Sequence, residues 1–215
     1  MANLITVLRF PLLILVVILL NTSSSLLRLI TVFLVILLIA MDSLDGIIAR
    51  WRKETSLMGS VLDIMADRAV ELLLWISFAH LRLIPVAIPI IYVLRGTVVD
   101  SLRSLHVSAG TAPFKAMRTN WGKFLVTTPL MRTGYALSKL ISFTGLALTH
   151  ALAAYVSQGI VRPEIVLLGH PFDKVQLSSL VFNLTSWISV ALCLARGLPV
   201  VIEALPILQG REEQG

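Results

Sequence analysis

Long apolar runs alternate with short polar breaks along the whole chain. About 20 mostly apolar residues are needed for a helix to cross the hydrocarbon core of a bilayer. Six segments fit that length, at residues 5–20, 26–50, 58–81, 84–105, 121–156 and 176–208. The last two are long enough to project beyond the hydrocarbon or to begin along its surface. Three breaks are short: NTSSS, RKETS and LRLIP. Two are longer, at 106–120 and 157–175, the latter carrying Gly159, Pro163, Gly169 and Pro171, residues that favour turns. No repeat, low-complexity tract or linker divides the chain. The pattern predicts an all-α integral membrane bundle of six transmembrane helices, a single domain over residues 1–215.

Composition agrees. Only 14% of the residues are charged, where a soluble domain carries about a quarter. The formal charge of +6 fits a bilayer better than nucleic acid, because nothing resembles an RNA-binding or helix-turn-helix signature. With the N-terminus cytoplasmic, Arg50, Arg52, Lys53, Arg95, Arg103, Lys115, Arg118 and Lys123 fall inside, and Arg82, Arg162 and Lys174 outside. The positive-inside rule is then satisfied with both termini cytoplasmic, Arg28 being a mild exception. The first apolar run has a basic flank only one arginine deep and another span directly after it. It reads as a retained helix rather than a cleaved signal. One cysteine, Cys193, excludes an intrachain disulfide and reads as an inert buried thiol.

Against this background one stretch stands out, MDSLDGIIARWRKETSLMGSVLDIMADRA, which holds four of the chain's six aspartates. Asp42 and Asp45 are three apart, with Ala49 four further on, so they share one helical face. Asp63 and Asp67, four apart, share a face of the next helix. The charged connector between these helices lets them run antiparallel and the two pairs confront each other. A carboxylate at membrane depth costs about 2.5–3.5 kcal/mol, so the four must be hydrated, protonated, paired with arginines or bound to cations. With no histidine or cysteine nearby, they suit hard, oxygen-seeking cations such as Mg²⁺ or Mn²⁺. Gly46 and Gly59 clear space beside the acids. Arg50 adds a planar fork suited to phosphate oxygens. These are the parts needed to hold and polarise a phosphate ester at a membrane surface. Any one of the acids taken singly reads as a solvated helix-end charge, or as a partner of Arg50, Arg52, Arg68 or Lys53.

The spacing Asp42-x2-Asp45-Gly46-x2-Ala49-Arg50-x8-Gly59-x3-Asp63-x3-Asp67 resembles the complete signature of the CDP-alcohol phosphotransferase family, and the six-helix pattern resembles that family over nearly the whole chain. The resemblance implies transfer of a phosphatidyl-type group from a CDP-linked lipid, CDP-diacylglycerol, to an alcohol, with release of CMP. It implies that Asp42, Asp45, Asp63 and Asp67 hold a pair of divalent cations, Mg²⁺ or Mn²⁺, on the diphosphate, and that Asp67 is also the general base. Gly46, Ala49 and Gly59 would line the cytidine end, and Arg50 would contact a phosphate. Family members commonly form homodimers. A bacterial inner membrane, with the site facing the cytoplasm, is the expected location.

The acceptor is read from weaker signals. NLITVLRFP, with Asn3, Thr6, Arg9 and Pro11, resembles the opening of phosphatidylglycerophosphate synthases within the family. Arg95, Arg103 and Lys123, in YVLRGTVVDSLRS and NWGKFLVTTPLMR, resemble the residues that receive the phosphate of glycerol 3-phosphate there. Against these stand a polar helix start with a snorkelling arginine and ordinary positive-inside anchoring. Gly96 stands where those enzymes usually carry an acid, and Leu125 and Val126 replace a second lysine. Inositol phosphate, phosphatidylglycerol (giving cardiolipin) or a sugar alcohol stay open as acceptors. From other classes, a small cation-coupled transporter and an inactive family member serving as a scaffold are the rivals. His80, His106, His150 and His170 are scattered without ligand spacing.

Overall fold

A computed structural model of the chain describes residues 2–52, 57–108, 122, 124–125, 128–167 and 170–208. Among them are six long helices: α1 (Ala2–Leu20), α2 (Ser25–Arg52), α3 (Leu57–His80), α4 (Ala87–Ser108), α5 (Pro129–Ser157) and α6 (Lys174–Leu208). Three contain windows long and apolar enough to cross a membrane, at Ser25–Asp42, Pro129–Ser157 and Lys174–Ile202, while α1 contributes a shorter apolar stretch, Leu4–Leu20. Helix α3 carries Asp63, Asp67, Arg68 and Glu71, and α4 carries Arg95, Asp100 and Arg103, which lower their apolarity. The protein is an all-α integral membrane protein.

Capping chemistry explains where the helices stop. At the end of α1, Asn21 Nδ2 donates to the Val17 carbonyl at 2.8 Å and Thr22 Oγ1 to that of Leu19 at 2.7 Å. The buried His150 contributes through Nε2, 2.9 Å from the Leu20 carbonyl, so this histidine closes a helix end rather than joining a metal set. Helix α5 ends in a Schellman turn: Ile160 N bonds the Tyr155 carbonyl and Gly159 N that of Val156, with Gly159 at φ 71°. The same pair of bonds ends α3, from Leu83 N to Phe78 O and from Arg82 N to Ala79 O. Here the left-handed residue is Arg82, at φ 57°.

Two departures from the sequence pattern have physical causes. The continuous fifth helix begins at Pro129 rather than at the expected 121, although residues 122, 124 and 125 are themselves helical. A residue before proline is biased out of the helical region, and proline suits a first helical position because it has no N–H to leave unpaired. Part of the intervening stretch, residues 121, 123 and 126–127, lies outside the described residues. The 157–175 link contains a small antiparallel hairpin, β1 (Glu164–Leu167) and β2 (His170–Asp173), with Glu164 opposite Asp173 and Val166 opposite Pro171. Asp173 then caps α6, its Oδ1 accepting from Val175 N at 2.7 Å and Gln176 N at 3.1 Å.

The chain forms two compact units. The first comprises residues 1–86 and 140–185, the second 87–139 and 186–215. In the first, α1 packs against α2 and α3. Trp75 and Phe143 meet at 4.5 Å between ring centroids, with Phe78 also facing Phe143. Gly145 lets the Phe182 ring lie against the backbone of α5. In the second unit, Val99, Leu102 and Val200 form a small core, and Tyr92 Oη and Ser189 Oγ share a buried hydrogen bond of 2.8 Å.

Candidate active site

The acidic site forms where α1, α2 and α3 come together. Asp42 comes from α2, and Asp63 and Asp67 come from successive turns of α3. One carboxylate oxygen from each lies within 4.8 Å of the others. Their side chains are 39%, 50% and 50% exposed, so the cluster opens toward one side rather than lying sealed in the helices.

Arg9 of α1 fills the opposite side. Its side chain is only 2% exposed. Nη1 donates to Asp42 Oδ1 at 3.0 Å, and Nη2 donates to Asp67 Oδ1 at 2.8 Å. Asp63 Oδ1 is 3.7 Å from Nη1. One guanidinium thus spans both acidic helices, a use of its fork that a lysine could not match. Thr6, one turn earlier on α1, is buried as well. One turn beyond Asp67, the buried Glu71 pairs with Arg68 at 3.2 Å.

The donor set fits a hard divalent cation. It consists of carboxylate oxygens without sulfur or imidazole, and its 4.8 Å span is close to the roughly 4 Å across an octahedral Mg²⁺ shell. A modest inward movement of the oxygens would close it around one ion.

Of the residues expected at the site, the structure brings Asp42, Asp63 and Asp67 together, and places the half-buried Gly59 one turn before Asp63 on α3. Asp45, Gly46, Ala49 and Arg50 lie on α2, but their side chains are outside the described residues, as is that of Asn3 on α1. The side chain of Arg103 and the whole of Lys123 are likewise outside them.

Arg95 belongs to the second unit, where its side chain lies against Gly197 of α6. A Cβ at Gly197 would sit 2.8 Å from Arg95 Nε. Beside Gly197 in sequence, Arg196 lays its guanidinium 5.3 Å from the Tyr135 ring centre, and Lys139 Nζ lies 4.5 Å from the same centre. Arg95 Nε and Arg196 Nε are both buried with no hydrogen-bond partner among the described residues. Two half-buried guanidinium groups in that condition are a ready receptor for an anion.

Sequence reasoning left out Glu71 and Arg196, and noted Arg9 only within the opening stretch NLITVLRFP, without a place at the acidic site. Arg9 had a readable signal, as the lone charge on an otherwise uncharged apolar helix. Glu71 continues the four-residue spacing of Asp63 and Asp67. Arg196 has none, since nothing in LCLARGLPV separates it from a flanking anchor.

A carboxylate cluster whose donors suit a hard cation, bridged by one guanidinium, is an arrangement able to hold a phosphate ester. The family comparison agrees and narrows the class. The profile of the CDP-alcohol phosphatidyltransferase family matches residues 1–194, and the chain belongs to that family. Among curated proteins, none matches it. The protein is therefore an integral membrane transferase of phospholipid synthesis, of the class that moves a phosphatidyl group from a CDP-linked alcohol.

Proposed function

We propose that this protein transfers the phosphatidyl group of CDP-diacylglycerol to glycerol 3-phosphate, giving phosphatidylglycerophosphate and CMP. The observation that carries the reading is the convergence of Asp42, Asp63 and Asp67 from two helices within 4.8 Å. With Asp45 they would hold Mg²⁺ or Mn²⁺, two ions in the full site. Bound cations there would neutralise charge on the diphosphate as CMP leaves.

The remaining steps belong to the chain itself. The acceptor hydroxyl oxygen attacks the phosphorus of the phosphatidyl group. The bond from that phosphorus to the oxygen bridging it to the CMP phosphate breaks, and CMP carries the electron pair away. Asp67 takes the hydroxyl proton. It is half exposed, so a water-borne acceptor can reach it, and Arg9 fixes the orientation of its carboxyl. Asn3, Thr6, Gly46, Ala49, Arg50 and Gly59 would seat the CDP-lipid.

Arg95, with Arg103 and Lys123, would take the acceptor's phosphate. In support of an acidic acceptor, the buried Arg95 Nε has no hydrogen-bond partner among the described residues. The chain would act as one transmembrane domain over residues 1–215, with both termini and the site on the cytoplasmic side of a bacterial inner membrane, as a homodimer among membrane lipids.

The test is CMP release by purified protein in detergent with CDP-diacylglycerol, Mg²⁺ and glycerol 3-phosphate, using Asp67→Asn and chelation by EDTA as controls. Release should require all three additions, stop with EDTA, and fall by about 10²–10⁴ in Asp67→Asn. Release only with inositol phosphate or phosphatidylglycerol would keep the site and replace the acceptor. Silence with every alcohol from folded protein would overturn the enzyme reading in favour of a scaffold or transporter.

A further inference from the structure

Arg9 is placed for more than anchoring. It is the single charged residue of α1, its side chain is 2% exposed, and both of its terminal nitrogens are committed to carboxylates that a cation would use. A snorkelling arginine would instead extend its head toward water. Among the three described aspartates, Arg9 cancels one negative charge. It also holds one oxygen each of Asp42 and Asp67. A divalent cation entering the bare site therefore meets a positive charge 3.0 and 2.8 Å from oxygens of Asp42 and Asp67, on a side chain only 2% exposed and so poorly screened.

We propose that Arg9 is a built-in counter-cation that weakens the bare site's hold on divalent metal, so that the metal and a nucleotide diphosphate bind as a coupled pair. This rests on the metal-site reading of the preceding subsection. A diphosphate arriving with the cation supplies the negative charge that offsets Arg9, and its oxygens offer the guanidinium acceptors in place of the carboxylates. Binding linkage makes the effect reciprocal: the cation must tighten the nucleotide as much as the nucleotide tightens the cation. The site would then fill when the CDP-lipid arrives and stay weakly metallated otherwise.

The experiment is Mn²⁺ titration of the full chain in detergent, read from the electron paramagnetic resonance signal of free Mn²⁺, with and without saturating cytidine diphosphate. Wild-type protein should bind Mn²⁺ at least about tenfold more tightly with the nucleotide than without it. Arg9→Gln should bind Mn²⁺ alone at least about tenfold more tightly than wild type, and the nucleotide should add less. Arg9→Lys keeps the charge and should stay within about threefold of wild type.

Weaker or unchanged Mn²⁺ binding by Arg9→Gln would overturn the proposal, because Arg9 would then serve only to orient its carboxylates. A lysine variant behaving like the glutamine one would overturn the counter-charge account too. Should Arg9→Gln fail to fold, equal wild-type affinities with and without nucleotide would overturn the proposal by themselves. These failures are separable from failure of the metal site: if Asp67→Asn binds Mn²⁺ as wild type does, or no protein binds it under either condition, the proposed function falls first.

Discussion

Gly145→Ala should destabilise the first unit markedly. A Cβ at position 145 would lie 2.0, 2.2 and 2.4 Å from Cδ1, Cε1 and Cγ of Phe182. Carbon atoms rest at about 3.5 Å or more, so ring and backbone must separate by roughly 1.5 Å. Easy retreat is blocked on both sides. Ser142 Oγ donates to Thr185 Oγ1 at 3.2 Å, and Thr149 Oγ1 lies 2.5 Å from Ser178 Oγ while donating to the Gly145 carbonyl at 2.9 Å. Overpacking of this kind costs about 1–3 kcal/mol, and one loosened hydrogen bond adds about 1 kcal/mol. The sum, about 2–4 kcal/mol, corresponds to a fall in Tm of roughly 5–15 °C for a chain of this size. Circular-dichroism melts in one detergent would measure it. Because the clash is with one ring, Phe182→Ala in the same chain should recover at least about 1 kcal/mol of the loss. A Tm for Gly145→Ala within about 1 °C of wild type, or additive single-mutant effects, would refute the close-packing argument.

Two further expectations concern a helix end and the acceptor. Arg82→Gly should raise stability by about 0.5–1 kcal/mol, because glycine takes the left-handed conformation without a Cβ penalty; an unchanged or lower Tm would contradict it. Arg95→Gln should raise KM for a phosphorylated acceptor by about tenfold or more while leaving KM for the CDP-lipid within about threefold. Equal changes in both constants, from steady-state CMP release, would remove Arg95 from the acceptor's phosphate.

The number of long helices could be read from apolar run length alone, since the bilayer sets a length that soluble folds do not. The carboxylates were legible for a related reason: charge is so disfavoured in apolar helices that Asp42, Asp63 and Asp67 stand out at helical spacing. Arg9 was harder to assign. Its partners lie 33 and 58 residues away, and only the packing of α1 on α2 and α3 reveals that one guanidinium reaches both. The hairpin at 164–173 escaped because its strands are four residues each and Pro171 sits within one of them, a position that argues against a strand in a short sequence window. Arg196 and Arg95 gain meaning only from buried Nε atoms that have no hydrogen-bond partner among the described residues, a condition that sequence cannot show.

The reach of Arg9 also bears on how the protein is born. Helix α1 leaves the ribosome before α2 and α3 with an arginine on board, and its hydrogen-bonding acids follow 33 and 58 residues later. At about 5–20 residues per second, Asp67 is synthesised roughly 3–12 s after Arg9. Until Asp42 follows, after roughly 2–7 s, α1 has a cation with neither acid to meet it, which favours a stay at the membrane interface or beside the insertion machinery. The same ion pairs that shape the mature site would then mark the moment at which the first three helices commit to one another.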